Sequence, residues 1–222
     1  MKLSEMKPCD LNEVYWSNLT SDQIVFMHVC DDKSILADFE VISTLHRTYR
    51  EGRHAACNTH SNVFLPLFST FAILDQIGEC YKPKNSPIYP DPKGSGIKKA
   101  LYYFAGRQPN DNESKALYAF RNGIMHDCSF VSHDKHRSDI HYWFRFCESI
   151  SCYVEVASTP WDGVPSSRSD HNITLINRNL LLDLAHNVIQ KLNTLFTKGE
   201  LEVTIPGGAA TIADNYLVRR PH

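Results

Sequence analysis

The recurrence of apolar residues at intervals of three and four is the feature that most limits how this chain can fold. That spacing places apolar side chains on one face of an α-helix, and such a face has to be buried against another element. The longest example lies near the C-terminus and comprises Ile176, Leu180, Leu184, Val188, Leu192 and Leu195. With 222 residues, 42% of them hydrophobic, the chain is long enough to build a real core.

Similar patterns predict three further helices, at 34–52, 64–78 and 112–126, and a shorter one at 97–104. The stretch 82–96 is rich in proline, glycine and lysine, which predicts an exposed loop. Amphipathic helices of this kind are most economically arranged as an antiparallel bundle. We therefore predict a mainly α fold.

One β-hairpin is predicted to be inserted into this bundle, at about 140–157. At its start apolar and polar residues alternate, which is typical of a β-strand, and a second short apolar run follows at 152–156. The chain then divides into an N-terminal extension at 1–32, a helical domain with its insertion at 33–198, and a C-terminal tail at 199–222.

Charge and targeting signals narrow the class of protein only slightly. The formal net charge of −2 gives no bulk attraction to nucleic acid or to anionic membranes, so a polyanion site would need a local basic cluster. The N-terminus lacks the apolar segment of a signal peptide, and no apolar run approaches the roughly eighteen residues of a membrane span. We expect a cytoplasmic protein with no membrane partner.

The seven cysteines form no C-x-x-C pair, which argues against a disulfide framework or a thiolate zinc site.

The sequence FRNGIMHD, at 120–127, contains the candidate catalytic residues Arg121, Asn122 and His126. Helical spacing places Asn122 and His126 on one side of the helix, away from its apolar residues. The alternative without a function is that Arg121 and His126 are solvated surface residues at a fraying helix end. Against it, neighbouring side chains make that side neither a plain charged surface nor a core, and they form a candidate dimer interface: Tyr118, Ala119 and Met125.

These residue types suit attack on a phosphodiester without a metal ion. A histidine side chain can move protons near neutral pH, and an arginine can hold a phosphate and stabilise the charge that develops on it. The amide of Asn122 can orient either group. One histidine per chain cannot act as acid and base at once, so a symmetric dimer would supply the missing group.

The segment from Arg121 to His126 matches the R-x4-6-H signature of the HEPN superfamily (higher eukaryotes and prokaryotes nucleotide-binding domains), and the chain resembles that family over roughly residues 33–198. The resemblance implies a metal-independent endoribonuclease that works as a homodimer, with Arg121 and His126 catalytic, Asn122 supporting, RNA as substrate and no cofactor. It also implies a setting in prokaryotic defence or a toxin–antitoxin pair, with an inhibitory protein partner. Other members are non-catalytic modules for dimerisation, nucleotide binding or protein interaction, and this alternative stays open.

Three other groups of residues deserve comparison with this motif. A basic and aromatic stretch predicts contacts with an RNA backbone through Lys98, Lys99 and Arg107. Cys128 lies two residues from His126, but no third orienting group is apparent for a cysteine nucleophile. A metal site is not expected, because four histidines within sixteen positions lie in a loop and strand without a recognised ligand spacing: His126, His133, His136 and His141.

Overall fold

The computed structural model describes residues 6–133 and 141–221. Within them the chain forms seven α-helices: α1 (Ser21–Val29), α2 (Thr44–Ala56), α3 (Phe64–Cys80), α4 (Gly96–Ala105), α5 (Asn112–Asp127), α6 (Arg178–Thr197) and α7 (Ala209–Tyr216). The nine described strands are β1 (Lys33–Ile35), β2 (Phe39–Ser43), β3 (Tyr81–Pro83), β4 (Val131–His133), β5 (His141–Phe146), β6 (Val154–Glu155), β7 (Ile173–Ile176), β8 (Leu201–Val203) and β9 (Leu217–Pro221).

This architecture corrects the predicted mainly α class, because the fold is a mixed α/β one. About half of the structure is helical and 17% is strand, and the described strands form three sheets. The sheets have the orders β1-β2-β9, β3-β8 and β4-β5-β7-β6. Several strands pair over long sequence distances, and such pairing leaves no trace in a local helical pattern.

Helix α3 is the centre of the core and contacts α2, α4, α5 and α6. Its side chains Leu67, Phe71, Leu74 and Ile77 are fully buried. Three predicted helices, at 64–78, 97–104 and 112–126, are confirmed as α3, α4 and α5. The helical part of the prediction therefore holds where apolar residues repeat over several turns.

The predicted helix at 34–52 is wrong over its first half. Strands β1 and β2 occupy that half, and α2 begins only at Thr44. Consecutive Val41 and Ile42 are both buried, and β2 pairs antiparallel with β1 on one side and with the C-terminal β9 on the other. Pairing with a strand from the end of the chain overrides the local spacing.

The predicted hairpin at 140–157 is also wrong, although residue 140 itself lies outside the described residues. Strands β5 and β6 are not neighbours, because β7 lies between them and pairs parallel with β5 and antiparallel with β6. Strand β7 is a short apolar run, Ile173–Ile176, buried at three of its four positions. A short buried strand of this kind has no helical or alternating signature, so the sequence pattern wrongly places Ile176 in the helix that follows it.

Helices α3 and α4 cross at two glycines. A Cβ on Gly78 would lie 1.8 Å from the carbonyl oxygen of Gly96, and a Cβ on Gly96 would lie 2.1 Å from the carbonyl oxygen of Asp75. Only glycine permits such a close approach of two backbones. The crossing brings the first turn of α4 against the C-terminal half of α3, where Asp75 lies.

Candidate active site at the end of helix α5

Helix α5 is fixed at its start and along one face. The side chain of Asp111 caps it by accepting a hydrogen bond from the backbone nitrogen of Ser114 at 2.6 Å. On the apolar face, Phe120 is fully buried and its ring lies 5.8 Å from that of Phe71 and 4.9 Å from that of Phe144. The apolar face of α5 is thus anchored between α3 and the four-stranded sheet. The side predicted to carry Asn122 and His126 is the opposite one.

Gly123 explains how the chain can turn immediately after the motif. The backbone nitrogen of Ser129 donates to the carbonyl oxygen of Gly123 at 2.9 Å, and a Cβ on Gly123 would lie 2.7 Å from the carbonyl oxygen of Ser129. Cys128 takes the left-handed conformation, with φ of 49°, and caps the helix. The glycine of the motif is therefore a requirement of packing, and it keeps His126 at an exposed helix end.

The structure brings the three predicted catalytic residues together around Arg121. Its Nη1 lies 3.0 Å from Asn122 Oδ1 and 3.1 Å from His126 Nε2. A guanidinium can only donate hydrogen bonds, so His126 Nε2 accepts and the neutral ring carries its proton on Nδ1. Asn122 is half-buried and His126 is exposed.

Asp75 on α3 completes this group, and the sequence reasoning missed it. Its Oδ2 accepts from Arg121 Nε at 2.8 Å and from Nη2 at 2.7 Å, while its Oδ1 accepts from the backbone nitrogen of Ile97 at 2.9 Å. Arg121 and Asp75 side chains are each 21% exposed. The available signal was a carboxylate that interrupts the apolar run Phe71–Ile77. We name Asp75, Arg121, Asn122 and His126 the Arg121 cluster.

The hydrogen-bonding capacity of Arg121 decides what the cluster can bind. A guanidinium has five N–H donors, of which Asp75 takes two and Asn122 and His126 take one each. One Nη2 donor is left for an incoming oxygen, and the donor shared with His126 becomes available once that histidine turns to another group. A phosphate oxygen can thus be bound without breaking the Asp75 contact.

The three predicted RNA-binding residues lie in different surroundings. Lys98 Nζ lies 4.2 Å from the centre of the Tyr118 ring, one helical turn before Arg121, so this cation is close to the cluster. Lys99 pairs with Glu79 at 3.2 Å. Arg107 pairs with Glu113 at 2.5 Å, at the opposite end of α5. The structure therefore separates Arg107 from the site.

The candidate dimer residues Tyr118, Ala119 and Met125 are half-buried and pack partly against the core of their own chain. Lys98 also covers one face of the Tyr118 ring. The surface left for a second copy around the motif is therefore smaller than the sequence pattern indicates, and His126 is its most exposed member.

Histidines outside the motif form a pair. His133 and His141 approach each other across β4 and β5, with their Nδ1 atoms 3.2 Å apart, whereas His136 lies outside the described residues. Among the described residues, no group of three or more His, Cys, Asp or Glu side chains is placed to hold a metal ion. Within the same part of the chain, no helix combines the length and the apolar character needed to cross a membrane.

The chain matches no family model, no curated protein and no solved structure. A functional proposal therefore rests on the geometry of the Arg121 cluster and on the resemblance carried by its motif. Both concern the same few residues at the end of α5.

Proposed function

We propose that this protein is a metal-independent endoribonuclease of the HEPN type that acts as a homodimer. The observation that carries the proposal is the bonding of Arg121. One edge of its guanidinium is held by Asp75, and Nη1 reaches both Asn122 and the exposed His126. Phosphodiester cleavage requires a positioned cation and a proton acceptor, and His126 Nε2 can accept a proton once it turns from Arg121 to the substrate hydroxyl.

In the proposed reaction, the 2′-hydroxyl of the RNA attacks the adjacent phosphorus. Nε2 of His126 takes the hydroxyl proton, and Arg121 stabilises the negative charge that grows on the phosphate oxygens. The bond to the 5′ oxygen breaks, which leaves a 2′,3′-cyclic phosphate and a 5′-hydroxyl. That leaving oxygen needs a proton, and the same histidine of a second copy supplies it in the dimer.

Asp75 acts as a positioning residue in this scheme. Because it is itself fixed by the Ile97 backbone, it holds the Nε and Nη2 edge of Arg121. Nη1 then contacts Asn122 and His126, and one Nη2 donor is left for a phosphate oxygen. Its negative charge also lowers the local positive charge, so the site would bind the phosphate ground state only moderately. Catalysis gains most from interactions that strengthen in the transition state.

A second candidate is a non-catalytic HEPN-like module for dimerisation, nucleotide binding or protein interaction. The observation that favours it is that Arg121 is already paired with Asp75, as in a structural ion pair.

If the protein is an active nuclease, as first proposed, its activity would need restraint in the cytoplasm. This agrees with a defence or toxin–antitoxin setting and an inhibitory partner.

The test is a cleavage assay with labelled single-stranded RNA of mixed sequence in EDTA. It compares the wild type with His126→Ala and with His60→Ala, which removes an exposed histidine in the turn after α2. The proposal expects cleavage by the wild type and His60→Ala and none by His126→Ala, with unchanged thermal stability. Equal activity of all three proteins would refute it, and no activity in any would favour the second candidate.

A further inference from the structure

An open pocket of about 350 Å³ lies directly beside the Arg121 cluster. Asp75 belongs to both, because it lines the pocket and binds Arg121. The other lining residues that matter here come from α2, α3 and α7: Thr44, Gln76, Glu79, Asn215 and Tyr216. A volume of this size falls within the range of small-molecule sites.

The pocket has a fixed aromatic wall. The Tyr216 ring stacks on the buried His28 ring at 5.5 Å and 21°. Tyr216 is also one of the residues that line the pocket. An aromatic ring held in place from behind is a platform on which a nucleobase can stack.

Next to Tyr216, a chain of hydrogen bonds that runs from Gln76 to the buried His28 fixes the Gln76 side chain. Its amide nitrogen donates to Thr44 Oγ1 at 3.0 Å and lies 2.7 Å from His28 Nε2. An amide nitrogen has no lone pair to offer, so His28 Nε2 accepts and Nδ1 donates to the Tyr81 hydroxyl, 2.6 Å away. The nitrogen of Gln76 is thereby occupied, and its oxygen is the atom left for a ligand.

The polar groups of the pocket are mainly hydrogen-bond acceptors. Besides the Gln76 oxygen, Glu79 offers a carboxylate that is 45% exposed. Lys99 does not line the pocket itself, but its Nζ lies 3.2 Å from that carboxylate. Acceptors beside one donor match the Watson–Crick edge of guanine, which presents two adjacent N–H donors next to the O6 acceptor. No other RNA base offers that arrangement.

We infer that this pocket binds the guanine base of the nucleotide whose 3′ phosphate reaches Arg121, so that the enzyme cuts RNA after guanosine. The base stacks on Tyr216, its N–H groups donate to Glu79, and Lys99 donates to O6. The choice of an RNA base as occupant rests on the proposed nuclease function.

The experiment is calorimetric titration of the 222-residue chain with the 3′-monophosphates of guanosine, adenosine, cytidine and uridine. We expect guanosine 3′-monophosphate to bind about ten-fold more tightly than the others. Glu79→Gln should abolish this preference, whereas Glu155→Gln, which changes an exposed glutamate on β6 that does not line the pocket, should leave it intact. Tyr216→Leu should weaken binding of all four nucleotides, and Tyr216→Phe, which keeps the ring, should retain binding and show that the fold tolerates a change at this position.

Equal affinity for the four nucleotides, or a guanosine preference that survives Glu79→Gln, would overturn the inference. Because this titration needs no cleavage, its failure is distinguishable from failure of the nuclease proposal. If the protein cleaves RNA but binds the four nucleotides equally, only the assignment of the pocket to guanine is refuted. If it binds guanosine 3′-monophosphate through Glu79 but cleaves no RNA, the pocket assignment is supported and only the nuclease proposal is refuted.

Discussion

Lowering the pH from 8 to 5 is expected to destabilise the fold through His28. This side chain is fully buried on α1, between the rings of Tyr81 and Tyr216. Burial, followed by the effect of nearby His46, lowers the pKa of His28 from 6.5 to about 3. The folded protein therefore keeps His28 neutral at pH 5, where the unfolded chain protonates it.

The size of the effect follows from the unfolded pKa alone, provided that the folded pKa stays below about 4. At pH 5 the unfolded histidine lies 1.5 pH units below its pKa of 6.5. At about 1.4 kcal/mol per unit, the unfolded state gains about 2 kcal/mol relative to the folded one. The stability is fully present above pH 7.5 or so, and it falls as the pH drops through 6.5 and continues to fall towards 3.

Urea unfolding at pH 8, 6.5 and 5 measures this contribution, because most carboxylates remain ionised in both states over that range. In the variant His28→Asn the group cannot titrate, so we expect the difference in unfolding free energy between wild type and variant to shrink by about 2 kcal/mol from pH 8 to pH 5. If the unfolding free energies of wild type and variant change in parallel with pH, His28 makes no such contribution to the pH dependence of stability. If the variant does not fold, an NMR titration of His28 in the folded wild type is the alternative measurement. Protonation of His28 near pH 6 would contradict a lowered pKa.

Three further predictions concern the site. Asp75→Asn keeps the shape of the side chain but releases the charge that holds Arg121, so we expect RNA cleavage to fall by about ten-fold to a hundred-fold with the fold intact by circular dichroism. Gly123→Ala pushes a methyl group against a backbone carbonyl 2.7 Å away, which should cost about 1–3 kcal/mol in thermal unfolding; an unchanged melting temperature would contradict the packing role. Lys98→Ala should weaken RNA binding and its salt dependence in a filter-binding assay, whereas Arg107→Ala should not, because Arg107 lies at the other end of α5.

Local sequence was enough to predict the parts of the site that lie on one helix. Arg121, Asn122 and His126 are within one and a half turns of α5, so their mutual contacts depend only on helix geometry and on the turn at Gly123. The helix itself was predictable because its apolar residues Leu117, Phe120 and Ile124 repeat at helical spacing and Asp111 is a strong capping residue.

Contacts between distant segments could not be predicted in the same way. Asp75 lies 46 positions from Arg121, and its placement depends on the glycine crossing of α3 and α4. Strand β2 pairs with β9 from the end of the chain, and β7 inserts between β5 and β6. Such pairings follow from tertiary packing, which overrides local preference.

The nuclease proposal is tested most sharply by the chemistry of the RNA ends that the purified wild-type protein produces in EDTA, determined by mass spectrometry. We expect 2′,3′-cyclic phosphate on one fragment and a 5′-hydroxyl on the other, because in the proposed reaction Arg121 and His126 activate the 2′-hydroxyl of the RNA itself. Products with a 3′-hydroxyl and a 5′-phosphate, or cleavage that appears only when a divalent metal is restored, would contradict it.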